Sequence, residues 1–228
     1  MASTLISEST QLADQLSEPD RLISQADARI GELLETVVDT PALVLDLDKF
    51  THNLLAMQHF CRTTSHVQLR PHCKTHKCST IAKLQLQKGA IGVCTAKLSE
   101  AQVLLEAGVR GVLITSPQVT ERKIAQLLRL STIDPTLMVT VDSERNVLQL
   151  QAAAVAAQQH VRCLVDIEVG QRRTGVPLER AFSLVRLLAE SSHTDFCGIQ
   201  AYCGHLQHVK EFEERSRLSI GAMRTAAE

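Results

Sequence analysis

Tryptophan is missing from this 228-residue chain, tyrosine occurs once, and aromatic side chains make up only 3% of it. That scarcity argues against a β-sandwich core and, beside an apolar content of 44%, fits an aliphatic α/β core. Neither sign of charge is in excess: the formal net charge is −1, which gives no field to gather nucleic acid or acidic lipid. No apolar run approaches the ~20 residues that span a bilayer. The seven cysteines are odd in number, scattered and preceded by no secretory signal. They read as reduced thiols of a cytoplasmic protein. The length suffices for one domain with a sizeable core.

Residues 1–38 read as a leader whose second part, from Asp20, carries apolar residues at helical spacing (Leu22, Ile23, Ala26, Ile30, Leu33, Leu34, Val37) and so predicts an amphipathic helix. Residues 39–228 read as the body. Pro41 to Asp48 alternates like a strand, and Asp48 is expected to cap the helix that follows. Strands are then expected from Val67, at Ile91–Thr95, Gly111–Thr115, Thr136–Val141, Arg162–Val169 and Phe196–Tyr202, with a helix after each. Ser99 and Gln102 have the spacing of a capping box. Strands alternating with helices predict a parallel sheet with right-handed crossovers. Six strands from Val67 onward fall short of the eight that close a β/α barrel.

The chemistry concentrates in VQLRPHCKTHKC (Val67–Cys78), a short strand that meets Pro71 and ends in a polar cluster around Lys74. Barrel enzymes keep their reactive groups at the C-terminal ends of strands. A lysine there, partly desolvated and flanked by His72, His76 and Lys77, would have its ammonium form disfavoured and could attack a carbonyl. The bland alternative is a solvated loop lysine. Zinc is a third reading, since His72, Cys73, His76 and Cys78 could all ligate, but their spacing lacks the paired arrangement of a closed site, and no metal site is assigned. Arg173 follows a strand end in GQRRTG, with Arg172 as the neighbouring candidate, and Tyr202 closes the last strand. Taken alone these could be a surface arginine and a packed ring. Cys73 reads as a small packed side chain.

RPHCKTHK resembles the lysine motif of the fold-type III pyridoxal-phosphate enzymes of the D-threonine aldolase and D-serine dehydratase group, whose barrel is of the alanine racemase N-terminal kind. DTPALVLDLDKFTHN (Asp39–Asn53), CTAKLSEAQVLLEAGV (Cys94–Val109), DIEVGQRRTGV (Asp166–Val176) and GIQAYCGHLQH (Gly198–His208) are similar to that group's other signatures, in the same order. The resemblance implies an α/β fold: a partial eight-stranded β/α barrel with about six strands, lacking the last two strands, their phosphate-binding turn and a C-terminal β domain. The first strand, Pro41–Leu47, would belong to that domain.

For the site, the resemblance implies a Schiff base between Lys74 and pyridoxal 5'-phosphate, with Arg173, Tyr202 and His72 beside the cofactor and His72 or His76 able to shuttle protons. It also implies a homodimer acting on a small D-amino acid with help from a divalent metal, whose ligands lie outside the matching region. AYCGHLQH is more similar to the aldolase branch, so the expected reaction is retro-aldol cleavage of a D-β-hydroxy-amino acid to glycine and an aldehyde. A D-serine dehydratase-like deaminase, a single-domain cofactor carrier and a non-catalytic fragment are the alternatives. With the phosphate turn and metal ligands missing from the match, the 228-residue chain is expected to have little or no lyase activity.

Overall fold

Five short apolar runs, each followed by an amphipathic stretch, fold into a parallel sheet with helices between its strands. The computed structural model of the chain describes residues 39–64 and 67–227, and the helix expected within residues 1–38 lies outside them. Contacts divide the chain into two compact units, Met1–Leu69 with Thr80–Ala90, and Arg70–Ser79 with Ile91–Glu228.

The first unit holds helix α1 (Leu47–Thr64) and most of helix α2 (Ser79–Gln87). The strand expected at Pro41–Asp48 is not formed: residues up to Asp46 are irregular and exposed, with no strand beside them among the described residues to accept their backbone groups. Alternation alone cannot make a strand without a partner. The cap moves with it. Asp46, not Asp48, accepts the Lys49 N–H at 3.0 Å, because α1 begins two residues earlier than a cap at Asp48 implies.

The second unit carries β1 (Val93–Thr95), α3 (Leu98–Glu106), β2 (Val112–Ile114), α4 (Glu121–Ile133), β3 (Met138–Val141), α5 (Glu144–Ala157), β4 (Val161–Ile167), α6 (Leu178–Ala189), β5 (Thr194–Ala201), a 3-10 turn (Gly204–His208) and α7 (Phe212–Ala227). The sheet order is β1-β2-β3-β4-β5 and every pairing is parallel. Among the described residues the sheet remains open, an α/β partial barrel.

The sheet has five strands where six were expected. Of the first, only a bridge between His72 and Cys94 forms, in which Cys94 N–H donates to the Pro71 carbonyl at 2.7 Å and Cys73 N–H to the Cys94 carbonyl at 2.8 Å. Pro71 has no N–H to extend a ladder. Ahead of it the Arg70 guanidinium donates to the Gly111 carbonyl, and burial lowers its pKa. Gly92 makes room for that guanidinium, since a Cβ there would overlap both it and the Gly111 carbonyl.

Val93, Val112, Ile114, Val139, Val141 and Val165 are fully buried in the sheet, under Leu105, Leu127, Leu150, Leu184 and Leu188 from the helices. Burying each such side chain contributes on the order of 2 kcal/mol, and this aliphatic layer holds the strand ends in place. The caps are mostly local. Thr120 accepts the Lys123 N–H and Ser143 the Asn146 N–H, both at 3.3 Å. At α3 the expected Ser99–Gln102 box is replaced: Lys97 is the N-cap, so the Glu100 carboxylate reaches back to the N–H groups of Ala96 (2.9 Å) and Lys97 (3.3 Å). Gln102, already inside the helix, donates to Glu106 instead.

Between Cys163 and Leu164 the partners on β5 step from Phe196 to Gly198, so Cys197 is an extra residue in that strand. Beyond the step, Asp166 lies opposite Gln200 and Ile167 opposite Ala201.

Candidate functional site

Lys74 follows the His72 bridge in a turn over residues 73–76 closed by the Lys77 N–H to the Cys73 carbonyl (2.8 Å), with Lys77 itself at φ +49°. It is exposed, not partly desolvated as the sequence suggests, because the turn carries it beyond the sheet. Its backbone N–H donates to His72 Nδ1 at 3.2 Å. With Nδ1 accepting, the ring proton belongs on Nε2, which lies 3.2 Å from Thr115 Oγ1, and that hydroxyl donates to the Thr95 carbonyl at 3.0 Å. Burial, and secondly the Lys74 charge, lower the His72 pKa. The imidazole is therefore neutral near pH 7 and is not one of the cations expected to flank Lys74.

Its titration gives a test. The His72 ring signals should move with a midpoint below the ordinary histidine value of about 6.5. In Lys74→Ala the midpoint should rise yet stay below that value, since burial is the larger cause. The depressed folded pKa makes His72's contribution to stability complete above about pH 6.5, and it is lost as pH falls below that value. An unchanged midpoint in the variant would remove Lys74 from the account.

Cys73 is 3% exposed, and burial pushes its thiol up to about 11. It is a packed side chain, not a thiolate at neutral pH.

Arg173 lies in the loop after β4, which closes when Glu168 N–H donates to the Val176 carbonyl and Val176 N–H to the Asp166 carbonyl, both at 2.9 Å. Arg172 has φ +54°, and Gly175, at φ +98°, has no room for a Cβ, which would lie 2.8 Å from the Glu168 nitrogen. Tyr202, 39% exposed, follows directly after β5. Its hydroxyl receives Gln207 Nε2 at 3.3 Å, and a Cβ at Gly204 would come within 2.5 Å of its ring. The His205 ring covers Gly170.

The three side chains meet. Lys74 Nζ lies 5.8 Å from the Tyr202 ring centroid and Arg173 Cζ lies 5.4 Å from it. An aromatic ring thus sits between an amine and a guanidinium, within the range of cation–π attraction. Arg172 makes no such contact in the structure.

The sequence reading missed the polar layer beneath. Asp166, 3% exposed, accepts Gln200 Nε2 at 2.9 Å and the Thr174 hydroxyl at 2.8 Å. The same Gln200 nitrogen reaches the Thr115 carbonyl at 3.4 Å. Asp166, Gln200 and Thr115 lie on or at the ends of strands, where polar residues read as the solvated face of an alternation. Only the acid in the otherwise apolar CLVDI run could have drawn attention. Among the described residues no three His, Cys, Asp or Glu side chains group to hold a metal ion, and no helix is long and apolar enough to cross a membrane.

A parallel β/α sheet with a lysine, an arginine and a tyrosine gathered at its strand ends defines the class, and comparison places it. The chain belongs to the alanine racemase N-terminal domain family, whose model matches residues 45–228. It is 41% identical over 194 residues to the D-threonine aldolase of an Arthrobacter species, covering 83% of this chain and 50% of that protein. It is 35% identical to the 3-hydroxy-D-aspartate aldolase of Paracoccus denitrificans (strain Pd 1222), over 79% of this chain and 47% of that one. Its fold superposes on the crystal structure of D-threonine aldolase from Filomicrobium marinum with a TM-score of 0.80 at 39% identity, covering 83% of this chain and 51% of that one. The chain spans about half the length of these relatives.

Proposed function

We propose that this chain carries the cofactor lysine of a pyridoxal-phosphate lyase that cleaves D-β-hydroxy-amino acids by a retro-aldol reaction. The observation that carries the reading is the convergence of Lys74 and Arg173 on the Tyr202 ring. The names of the two curated relatives, both aldolases for D-amino acids, support it.

The residues fit the aldehyde and ring end of such a cofactor. Lys74 offers an exposed primary amine, Tyr202 a flat apolar face and Arg173 a permanent cation. When bound, the cofactor supplies an electron sink for a bond broken at the substrate's α-carbon. Lys74 would hold it through its side-chain amine. Tyr202 limits the tilt of whatever lies against its ring, and Arg173 holds anionic oxygen. His72 orients rather than shuttles, because its Nδ1 is committed to the Lys74 N–H and its Nε2–H to Thr115.

The test is to incubate the chain with pyridoxal phosphate, reduce with borohydride and map the modified peptide. The label is expected on Lys74. Label concentrated on Lys77 or Lys97 would assign the chemistry to another lysine and sink the reading.

A further inference from the structure

We infer that Asp166 is a positioning residue that fixes the Arg173 loop and the Tyr202 strand end against the Lys74 turn, an inference that rests on the cofactor reading above for its catalytic meaning. One buried carboxylate reaches two of these segments directly and the third through a relay of side chains. Through Oδ2 it receives the Thr174 hydroxyl at 2.8 Å, which anchors the loop one residue past Arg173. Through Oδ1 it receives Gln200 Nε2 at 2.9 Å, two residues before Tyr202. That nitrogen also touches the Thr115 carbonyl at 3.4 Å, and the Thr115 side chain holds His72, which holds the Lys74 backbone.

Nothing in sheet formation requires an acid here. The Asp166 backbone already pairs with Gln200 of β5 and accepts the Val176 N–H, and its side chain costs the sheet the desolvation of a carboxyl group. Burial raises the Asp166 pKa, and the Gln200 and Thr174 hydrogen bonds pull it back. The group is worth keeping where its two oxygens each fix one neighbouring segment. Asparagine could do the same, its oxygen accepting from Gln200 and its amide donating to Thr174. Alanine could not: the half-buried Thr174 hydroxyl would lose its acceptor, and Gln200 Nε2 would keep only the longer contact to the Thr115 carbonyl.

The chain supplies its own reporter. With one tyrosine and no tryptophan, its ultraviolet emission comes from Tyr202 alone when excited at wavelengths longer than phenylalanine absorbs. Steady-state anisotropy of that emission reads the mobility of the ring without any cofactor, and borohydride-trapped pyridoxal phosphate on Lys74 reads the assembled site. In Asp166→Ala, with an unchanged far-ultraviolet circular dichroism spectrum, the anisotropy should fall and trapped cofactor at a fixed subsaturating concentration should drop about tenfold. Asp166→Asn should stay within about twofold of the parent in both. Thr174→Val, which severs only the loop anchor, should lower trapping and leave the anisotropy nearer the parent. It serves as the deciding variant if Asp166→Ala does not fold.

Parent-like anisotropy and trapping in folded Asp166→Ala would overturn the inference, or parent-like trapping in Thr174→Val if the alanine variant is unfolded. An Asp166→Asn variant as impaired as alanine would also overturn it, because charge and not positioning would then be at work. If the parent itself traps no cofactor on Lys74, the proposed function fails, while the anisotropy series still decides the role of Asp166.

Discussion

Lys74→Ala is expected to abolish covalent capture of pyridoxal phosphate, a loss of at least a hundredfold in trapped label, whereas Lys77→Ala and Lys97→Ala remain within about twofold of the parent. The size of the effect follows from the kind of interaction removed. A linkage through one amine has no partial substitute, unlike a positioning hydrogen bond, whose loss costs about tenfold. The controls are set by geometry. Lys97 caps α3 and lines a groove of about 480 Å³ over α3 and α4 that none of Lys74, Arg173 and Tyr202 enters. Lys77 follows the same turn as Lys74 but sits at φ +49°, and it makes no contact with the Tyr202 ring comparable to that of Lys74. The readout is peptide mapping after borohydride reduction, with glycine and acetaldehyde release from D-threonine as a second measure. Capture that survives in Lys74→Ala would mean the reacting amine lies elsewhere.

The second large effect concerns the sheet beneath the site. Gly92→Ala is expected to lower stability by about 3 kcal/mol, a large share of the roughly 5–15 kcal/mol that holds a domain folded. The added methyl would overlap the Gly111 carbonyl, which is backbone and cannot swing aside, and the Arg70 guanidinium that donates to it. The disturbance falls at the entry to β1, between Arg70 and the first paired residue of β2. Gly108→Ala is the control. Nothing lies within 4 Å of a Cβ there, and only its φ of +87° resists a side chain, so its cost should be nearer 1 kcal/mol. Urea midpoints of the two variants decide the matter. Equal losses would mean that the Arg70 packing contributes little.

Much of the second unit is legible from the amino-acid order. Five of the seven expected strands form within a few residues of their expected limits, since β-branched runs between helical stretches leave few alternatives. The two expected strands that do not form have the same cause. At Pro41–Asp48 and Val67–Leu69 the sequence has strand composition, but pairing depends on what runs alongside, which composition does not encode. Lys74, Arg173 and Tyr202 are legible as candidates because each stands in a motif with a known resemblance, and their meeting in space is a property of the fold. Asp166, Thr174, Gln200 and Thr115 escape notice because no local pattern links residues as far apart in the chain as Thr115 and Gln200. The neutral state of His72 escapes for a similar reason: it follows chiefly from burial of the ring, which only the fold creates.

The extra residue at Cys197 acts as a phase shifter for the site. Before it, Phe196 stands beside Cys163; after it, Gln200 stands beside Asp166. Three residues separate the two positions on β4 and four separate them on β5, so β5 changes face once where an unbroken strand would not. Written as a wave of period two, β5 is two half-strands of opposite sign joined at residue 197. Deleting that residue would restore a regular strand and still leave Gln200 beside Asp166, because the four steps on β5 would become three and match β4. Drawing Cys197 into the ladder without losing a residue would instead put Ile199 beside Asp166 and turn Gln200 to the other face, disconnecting the carboxylate from the strand that ends in Tyr202.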